Sequence, residues 1–276
     1  MSLPRSALPV CLLAVAAVAT GTVAPQLVAR PVAPPREPVE GPWQLQVQGK
    51  VDVCFLLILV DLDGDATSAA TVRALHDASR YVICYIDAGS YENFRVDHAR
   101  FPRSVKGRPN GWPGERWLDI RRLDILAPIL KARMRTCARK GFDAVDPDNV
   151  DGYANKTGFG LSRADSLRFT RWLARTAHGL GLSVGLKNAL ELVPSLAPRF
   201  DFAVVEQCFQ YDECERLAPF LQRSKPVYVV EYEGSYATLC AKAAALGVHL
   251  TLAQLALDDS GEPCPARPPT VSSQAP

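Results

Sequence analysis

The feature that most constrains this chain is a repeated alternation, between Val51 and Asp259, of short apolar runs with longer amphipathic stretches. The apolar runs cover 53–60, 81–86, 117–120, 143–146, 183–187, 202–206, 227–231 and 248–252. Several are apolar at successive residues, as strands buried on both faces are. Between them, 66–78, 125–140, 163–179, 213–222 and 237–246 have helical spacing. Ser162 with Asp165 reads as a helix start and Gly179-Leu180-Gly181 as a stop. A strand–helix repeat near eight predicts an α/β fold, a single-domain (β/α)8 TIM-like barrel, rather than an open sheet. No glycine-rich phosphate turn follows the first run, which argues against a dinucleotide-binding sheet.

The ends read differently. Arg5 precedes an apolar run at 7–18 followed by small residues, the pattern of a secretory leader at 1–19 cleaved after Ala19. That run is shorter than the ~20 residues of a membrane span, so no stable membrane insertion is expected after cleavage. Residues 20–42 are proline-rich and aperiodic, the composition of a linker. The folded domain is expected at 43–264 and a flexible tail at 265–276. Hydrophobic residues make up 48% and charged residues 22%, enough for a sizeable core, and the net charge of +2 gives no electrostatic basis for a nucleic-acid partner. The reading is of a secreted, extracellular monomer.

Seven cysteines follow the leader. Cys54 and Cys84 lie within apolar runs and read as buried free thiols. Cys208 and Cys214 suit a local disulfide, and Cys240 with Cys264 a tether for the tail. None of the cysteine pairs has the two-residue gap of a zinc knuckle, so neither a metal nor any other cofactor is expected.

In a barrel the carboxyl ends of the strands share one mouth, and chemistry gathers there. Five expected strands end in polar residues: Asp87 and Tyr91; Asp146, Asp148, Asn149, Asp151 and Tyr153; Lys187 and Asn188; Glu206 and Gln207; Glu231 and Tyr232. Three carboxylates in six residues, Asp146, Asp148 and Asp151, repel one another, which a simple turn does not require. Glycosidic cleavage needs two opposed carboxylates, one donating a proton and one acting as nucleophile or base. Asp148 and Glu206 are the candidates, with the remaining residues and Trp117 as candidate sugar contacts.

The segment from Gly141 to Tyr153 (GFDAVDPDNVDGY), with Val184-Gly185-Leu186-Lys187-Asn188 and Glu206-Gln207-Cys208, resembles glycoside hydrolase family 114. Ala88-Gly89-Ser90-Tyr91-Glu92, Gly114 to Ile120 and Glu231-Tyr232 resemble it too, in family order. The resemblance implies a TIM-like barrel with endo-α-1,4-polygalactosaminidase activity on a cationic galactosamine-containing polysaccharide. It also implies that Asp148 and Glu206 carry catalysis. Asp146 stands where the family usually has Glu, and Asp87 where a small polar residue is commoner.

Two other classes are open to the same sequence. One is a carbohydrate-binding barrel without activity. The other is a Mg²⁺-dependent phosphatase of the haloacid dehalogenase type, suggested by Asp61-Leu62-Asp63-Gly64 after an apolar run.

Overall fold

A computed structural model describes residues 34–52 and 57–265. The expected leader, most of the linker, Cys54 and nearly all of the tail lie outside the described residues. In chain order the elements are β1 (Trp43–Gln46), β2 (Leu59–Asp63), α1 (Ala69–Asp77), β3 (Tyr81–Asp87), β4 (Ser90–Glu92), β5 (Lys106–Pro109) and β6 (Glu115–Leu118). There follow α2 (Leu123–Lys140), β7 (Ala144–Asp148), α3 (Arg163–His178), β8 (Ser183–Lys187), α4 (Val193–Leu196) and β9 (Phe202–Glu206). The last are α5 (Ala218–Leu221), β10 (Val227–Glu231), α6 (Tyr236–Leu246), β11 (His249–Leu252) and β12 (Glu262–Pro263).

Strands β1, β2, β3, β7, β8, β9, β10 and β11 pair in that order, all parallel, and β12 adds antiparallel to β11. The sheet curls into a nearly closed barrel. Trp43 Nε1 donates to the His249 carbonyl at 2.9 Å, and Thr251 Oγ1 donates to the Trp43 carbonyl, joining the first strand to the eighth. The (β/α)8 TIM-like class is therefore the observed one, with two corrections to its strands. The run at 117–120 is not a barrel strand: β6 pairs with β4 and β5 in a small antiparallel sheet above the mouth. β3 instead pairs directly with β7, and the count of eight is completed ahead of β2 by β1, whose four residues are too few to show a period.

Alternation along the strands divides the core. Trp43, Leu45, Leu59, Tyr81, Ile83, Ala144, Phe202, Val204, Tyr228 and Val230 fill the barrel interior. Their strand neighbours, such as Val82, Cys84, Val145, Val184, Leu186, Ala203, Val205 and Val229, pack outward against the helices. Gly185 is an inward position where a Cβ would lie 2.4 Å from the Phe202 ring, so the missing side chain makes room for that ring. On α2 the buried residues Leu126, Ile129, Leu130, Arg133, Met134 and Cys137 recur at helical spacing, and Gly141 at φ 93° ends the helix. Ser162 and Asp165 form a capping box at the start of α3.

The disulfides correct one cysteine. Cys84 is not a free thiol: it pairs with Cys137, fastening β3 to α2, because its outward position on β3 meets that helix. Cys208–Cys214 closes the loop after β9, and Cys240–Cys264 ties α6 to the chain end. The end of the expected linker is also held. Tyr81 Oη and Ser183 Oγ donate to the Arg36 carbonyl, and Tyr228 Oη donates to the Val39 carbonyl, so residues 36–39 cross the amino end of the barrel. Among the described residues no helix is long and apolar enough to cross a membrane.

Candidate active site

The inward row that carries rings in the lower barrel carries charge near the mouth. One strand position after another, Asp61, Asp146, Asp148, Lys187 and Glu206 occupy inward sites of β2, β7, β8 and β9. Lys187 sits at the centre, almost wholly buried. Its Nζ lies 3.5 Å from Asp148 Oδ2, 3.5 Å from Glu206 Oε2 and 3.7 Å from Asp146 Oδ2. Burial alone would strip the ammonium of its proton, but the carboxylates of Asp148, Glu206 and Asp146 outweigh it and hold Lys187 charged.

Each candidate catalytic carboxylate has its own tyrosine. Tyr85 Oη donates to Asp148 Oδ2 at 2.9 Å, and Tyr232 Oη donates to Glu206 Oε1. Asn188 clamps Glu206 twice, its Nδ2 donating to Oε2 at 3.1 Å and its Oδ1 accepting the Glu206 amide at 3.0 Å. Burial pushes the Glu206 carboxyl up. Lys187 and the hydrogen bonds from Tyr232 and Asn188 more than reverse this and hold it below the usual range. The Asn149 amide caps Asp148 Oδ1 at 2.8 Å, while Asn149 Nδ2 donates to Asp87. Asn149, Asn188 and Gln207 all take positive φ, 60°, 47° and 60°, turning the chain away directly after Asp148, Lys187 and Glu206. Such conformations outside glycine concentrate where a site fixes its backbone.

Below this layer, Asp61 and Asp146 are completely buried, and none of their oxygens receives a hydrogen bond from another group. Burial, with the charges of Asp148 and Glu206 adding to it and Lys187 and the Asp61 carboxyl pulling against it, leaves Asp146 pushed up to about 7. Burial and Asp146 raise Asp61 as well, so the two carboxyls share protons rather than both ionising.

The cleft above encloses about 580 Å³ and is lined by Asp148, Glu206, Lys187, Asn149, Asp151, Asn188, Trp117 and Tyr232 among the expected residues. Others stand elsewhere. Glu231 occupies an outward position of β10 and accepts the Phe209 amide, and Asp146 is sealed beneath Lys187. Asp87 is buried against Ser90 and Asn149, and Tyr91 packs on Phe101 under the Lys106 ammonium. Gln207 hydrogen-bonds Gln210, and Tyr153 leans on the outer core; neither lines the cleft. Sequence reasoning missed Tyr85, Asp63, Glu92, Phe94, Arg95, Trp112, Glu115, Asn155 and Leu255 as cleft residues. For Tyr85 a signal existed, since it shares the inward face of β3 with Tyr81 and Ile83.

The phosphatase alternative loses its basis. Asp61 has no exposure, and Asp63 is spent on the Asp65 and Ala66 amides and on Arg95, at 2.9, 2.7 and 2.6 Å. No cluster of metal-ligating side chains occurs among the described residues.

Among solved structures, the chain is similar to Ega3 of Aspergillus fumigatus, crystallised with galactosamine, at 35% identity and TM-score 0.79, over 85% of this chain and 100% of that one. The glycoside hydrolase domain of PelA from Pseudomonas aeruginosa has the same fold, at 16% identity and TM-score 0.64, over 80% of this chain and 98% of that one. Comparison with curated proteins gave no match. The sequence model of glycoside-hydrolase family GH114 matches residues 24–267. With the barrel and the likeness to Ega3, that match makes this chain a glycoside hydrolase and a member of family GH114.

Proposed function

We propose that the protein hydrolyses α-1,4-linked galactosamine-containing polysaccharide, with Glu206 as general acid and base and Asp148 as nucleophile or as base for water. The observation that carries this is the shared ammonium: Lys187 Nζ stands 3.5 Å from one oxygen of each carboxylate. Those two oxygens therefore lie within twice that distance of one another, across a single cleft. This favours the retaining spacing of about 5 Å over most of the inverting range of about 6.5–9.5 Å. Asp148 would then form the glycosyl intermediate, and Glu206 would protonate the leaving oxygen before activating water.

The lining supports a cationic sugar. Among the residues lining the cleft, the acids Asp63, Glu92, Glu115, Asp148, Asp151 and Glu206 outnumber the bases Arg95 and Lys187, and a cleft of one prevailing sign gathers ligands of the other. The similar Ega3 structure holds galactosamine itself. Export through the amino-terminal leader is part of the same reading, and the three disulfides suit an oxidising compartment.

Release of reducing ends from a soluble α-1,4-galactosamine polymer tests the reading. Asp148→Asn and Glu206→Gln should each lower turnover roughly a thousandfold or more with an unchanged melting temperature. Because Glu206 is held ionised in the free site, wild-type turnover should rise as the pH falls below neutrality. Activity should survive EDTA, and the first-formed anomer should keep the substrate configuration. Full activity in either amide variant would remove the assignment, and polymer binding without cleavage by the wild type would remove the reaction.

A further inference from the structure

Among the described residues, Phe94, Val96, Trp112, Tyr211 and Leu255 are the large hydrophobic side chains left exposed. Phe94, Trp112 and Leu255 line the catalytic cleft, so the exposure is concentrated there. Aromatic surface left in water at a cleft rim marks a place where something apolar is meant to sit.

The segment bearing Trp112 is built to hold it out. It is the tip between β5 and β6, Asn110-Gly111-Trp112-Pro113-Gly114, with Gly111 at φ 113° and Gly114 at φ 84°, where a side chain would be strained. The Trp112 amide donates to Asn110 Oδ1 at 3.1 Å, and Asn110 Nδ2 donates to Glu115 Oε2 at 2.7 Å. The Glu115 amide returns to the Trp112 carbonyl at 3.2 Å. The neighbouring segment is pinned to this tip, since the Asn93 amide donates to the Gly114 carbonyl at 3.1 Å. Two exposed rings, Trp112 and Phe94, thus stand on joined, fixed loops with the Glu115 carboxyl beside them in the cleft lining.

We propose that Trp112 and Phe94 form a sugar-stacking subsite on the rim of the cleft, taking the apolar face of an amino-sugar ring while Glu115 receives its ammonium. This rests on the proposed polysaccharide substrate and extends it to chain length. A pyranose presents C–H groups on one face, which an indole accepts, and a nearby ammonium adds attraction to the ring. Such a subsite engages only chains long enough to reach it from the Asp148–Glu206 pair.

The experiment compares Trp112→Ala, Phe94→Ala and Trp112→Phe with wild type on a long galactosamine polymer and on a graded series of its oligomers. Val96→Ala serves as the exposed control that does not line the cleft. Trp112→Ala should raise KM for the polymer about tenfold with kcat within roughly twofold. The KM effect should shrink as the oligomers shorten. Trp112→Phe should recover most of the loss, and Val96→Ala should match wild type. A KM for Trp112→Ala equal to wild type at every length overturns the subsite, as does a loss independent of length. Wild type that cleaves normally in those cases leaves the polysaccharide reading standing. Wild type that neither binds nor cleaves the polymer overturns both.

Discussion

In the lower barrel interior Trp43, Phe202 and Tyr228 pack ring on ring, with centroids 5.2 Å apart for Trp43–Tyr228 and 5.7 Å for Phe202–Tyr228. A few residues further along the same inward rows, the space is filled by Asp61, Asp146 and Lys187. Both layers are buried to the same degree, but they are satisfied differently. Below, the polar tips all find carbonyl partners: Trp43 on His249, Tyr81 on Arg36 and Tyr228 on Val39. Above, one ammonium answers Asp146, Asp148 and Glu206, and the Asp61–Asp146 pair receives no hydrogen bond from outside itself. A scaffold that needed only stability would have continued the rings upward, since replacing buried ion clusters by packed apolar groups is often neutral or stabilising. The contrast marks where packing ends and chemistry begins.

The largest test of that contrast removes the shared cation. Lys187→Met keeps the length of the side chain and deletes its charge, leaving the buried carboxylates to repel one another. Turnover should fall by about a thousandfold or more, because Asp148 and Glu206 lose the one cation that bridges them and keeps them facing each other across the cleft. Steady-state kinetics beside near-ultraviolet circular dichroism decides it. Turnover within tenfold of wild type, in a folded protein, would show that the ammonium does not organise the pair.

A second test concerns the carboxyl pair beneath. Asp146 keeps its proton up to about pH 7 when folded, whereas unfolded it ionises near the ordinary carboxylate value. Between those values the native state binds a proton that the unfolded state has released. The stability tied to this proton is complete below about pH 4 and is lost as the pH rises through about 7. Asp146→Asn cannot titrate, so its unfolding free energy should fall less steeply over that window, by up to about 1.4 kcal/mol per pH unit. Urea unfolding at a series of pH values measures both slopes. Parallel curves would mean that Asp146 is ionised throughout and that the shared-proton picture of this layer is wrong.

How much of this was legible follows from strand parity and loop length. The alternation of runs was enough to reach the barrel, and the ends of β7 and β9 to reach Asp148 and Glu206, because inward residues at strand ends must meet at one mouth. Glu231 was read as a rim residue for the same reason, yet it lies one residue before the inward Tyr232, and a shift of one position reverses the face. Tryptophan was the harder case. Trp43 and Trp117 are largely buried, whereas Trp112 lines the cleft half in solvent. Nothing local separates a core indole from a displayed one until the loop is folded. The β4–β6 excursion, long and without helical or barrel periodicity, left its cleft residues other than Trp117 unreadable. Asp61 entered the sequence reading within the phosphatase-like Asp61-Leu62-Asp63-Gly64; the closed barrel shows it pressed against Asp146, from a strand not adjacent to β7.

The smallest effect separates the two layers within one strand. Tyr228 and Tyr232 belong to the same inward row of β10 and its extension, and each donates one hydrogen bond, to the Val39 carbonyl below and to the Glu206 carboxylate above. Replacing each by Phe deletes only the hydroxyl. Tyr228→Phe leaves a main-chain carbonyl without its donor and should cost about 1 kcal/mol of stability, with the pH–rate profile unmoved. Tyr232→Phe removes one of the groups that hold Glu206 below its ordinary range. Its carboxyl should then titrate higher, moving the Glu206-dependent limb of kcat/KM toward higher pH, with a loss of roughly tenfold at the optimum. Thermal melts and pH–rate profiles of both variants give four readings. If Tyr228→Phe shifts the limb as far as Tyr232→Phe does, the boundary between the packed layer and the reactive one has been drawn in the wrong place, and the lower rings belong to the chemistry as well.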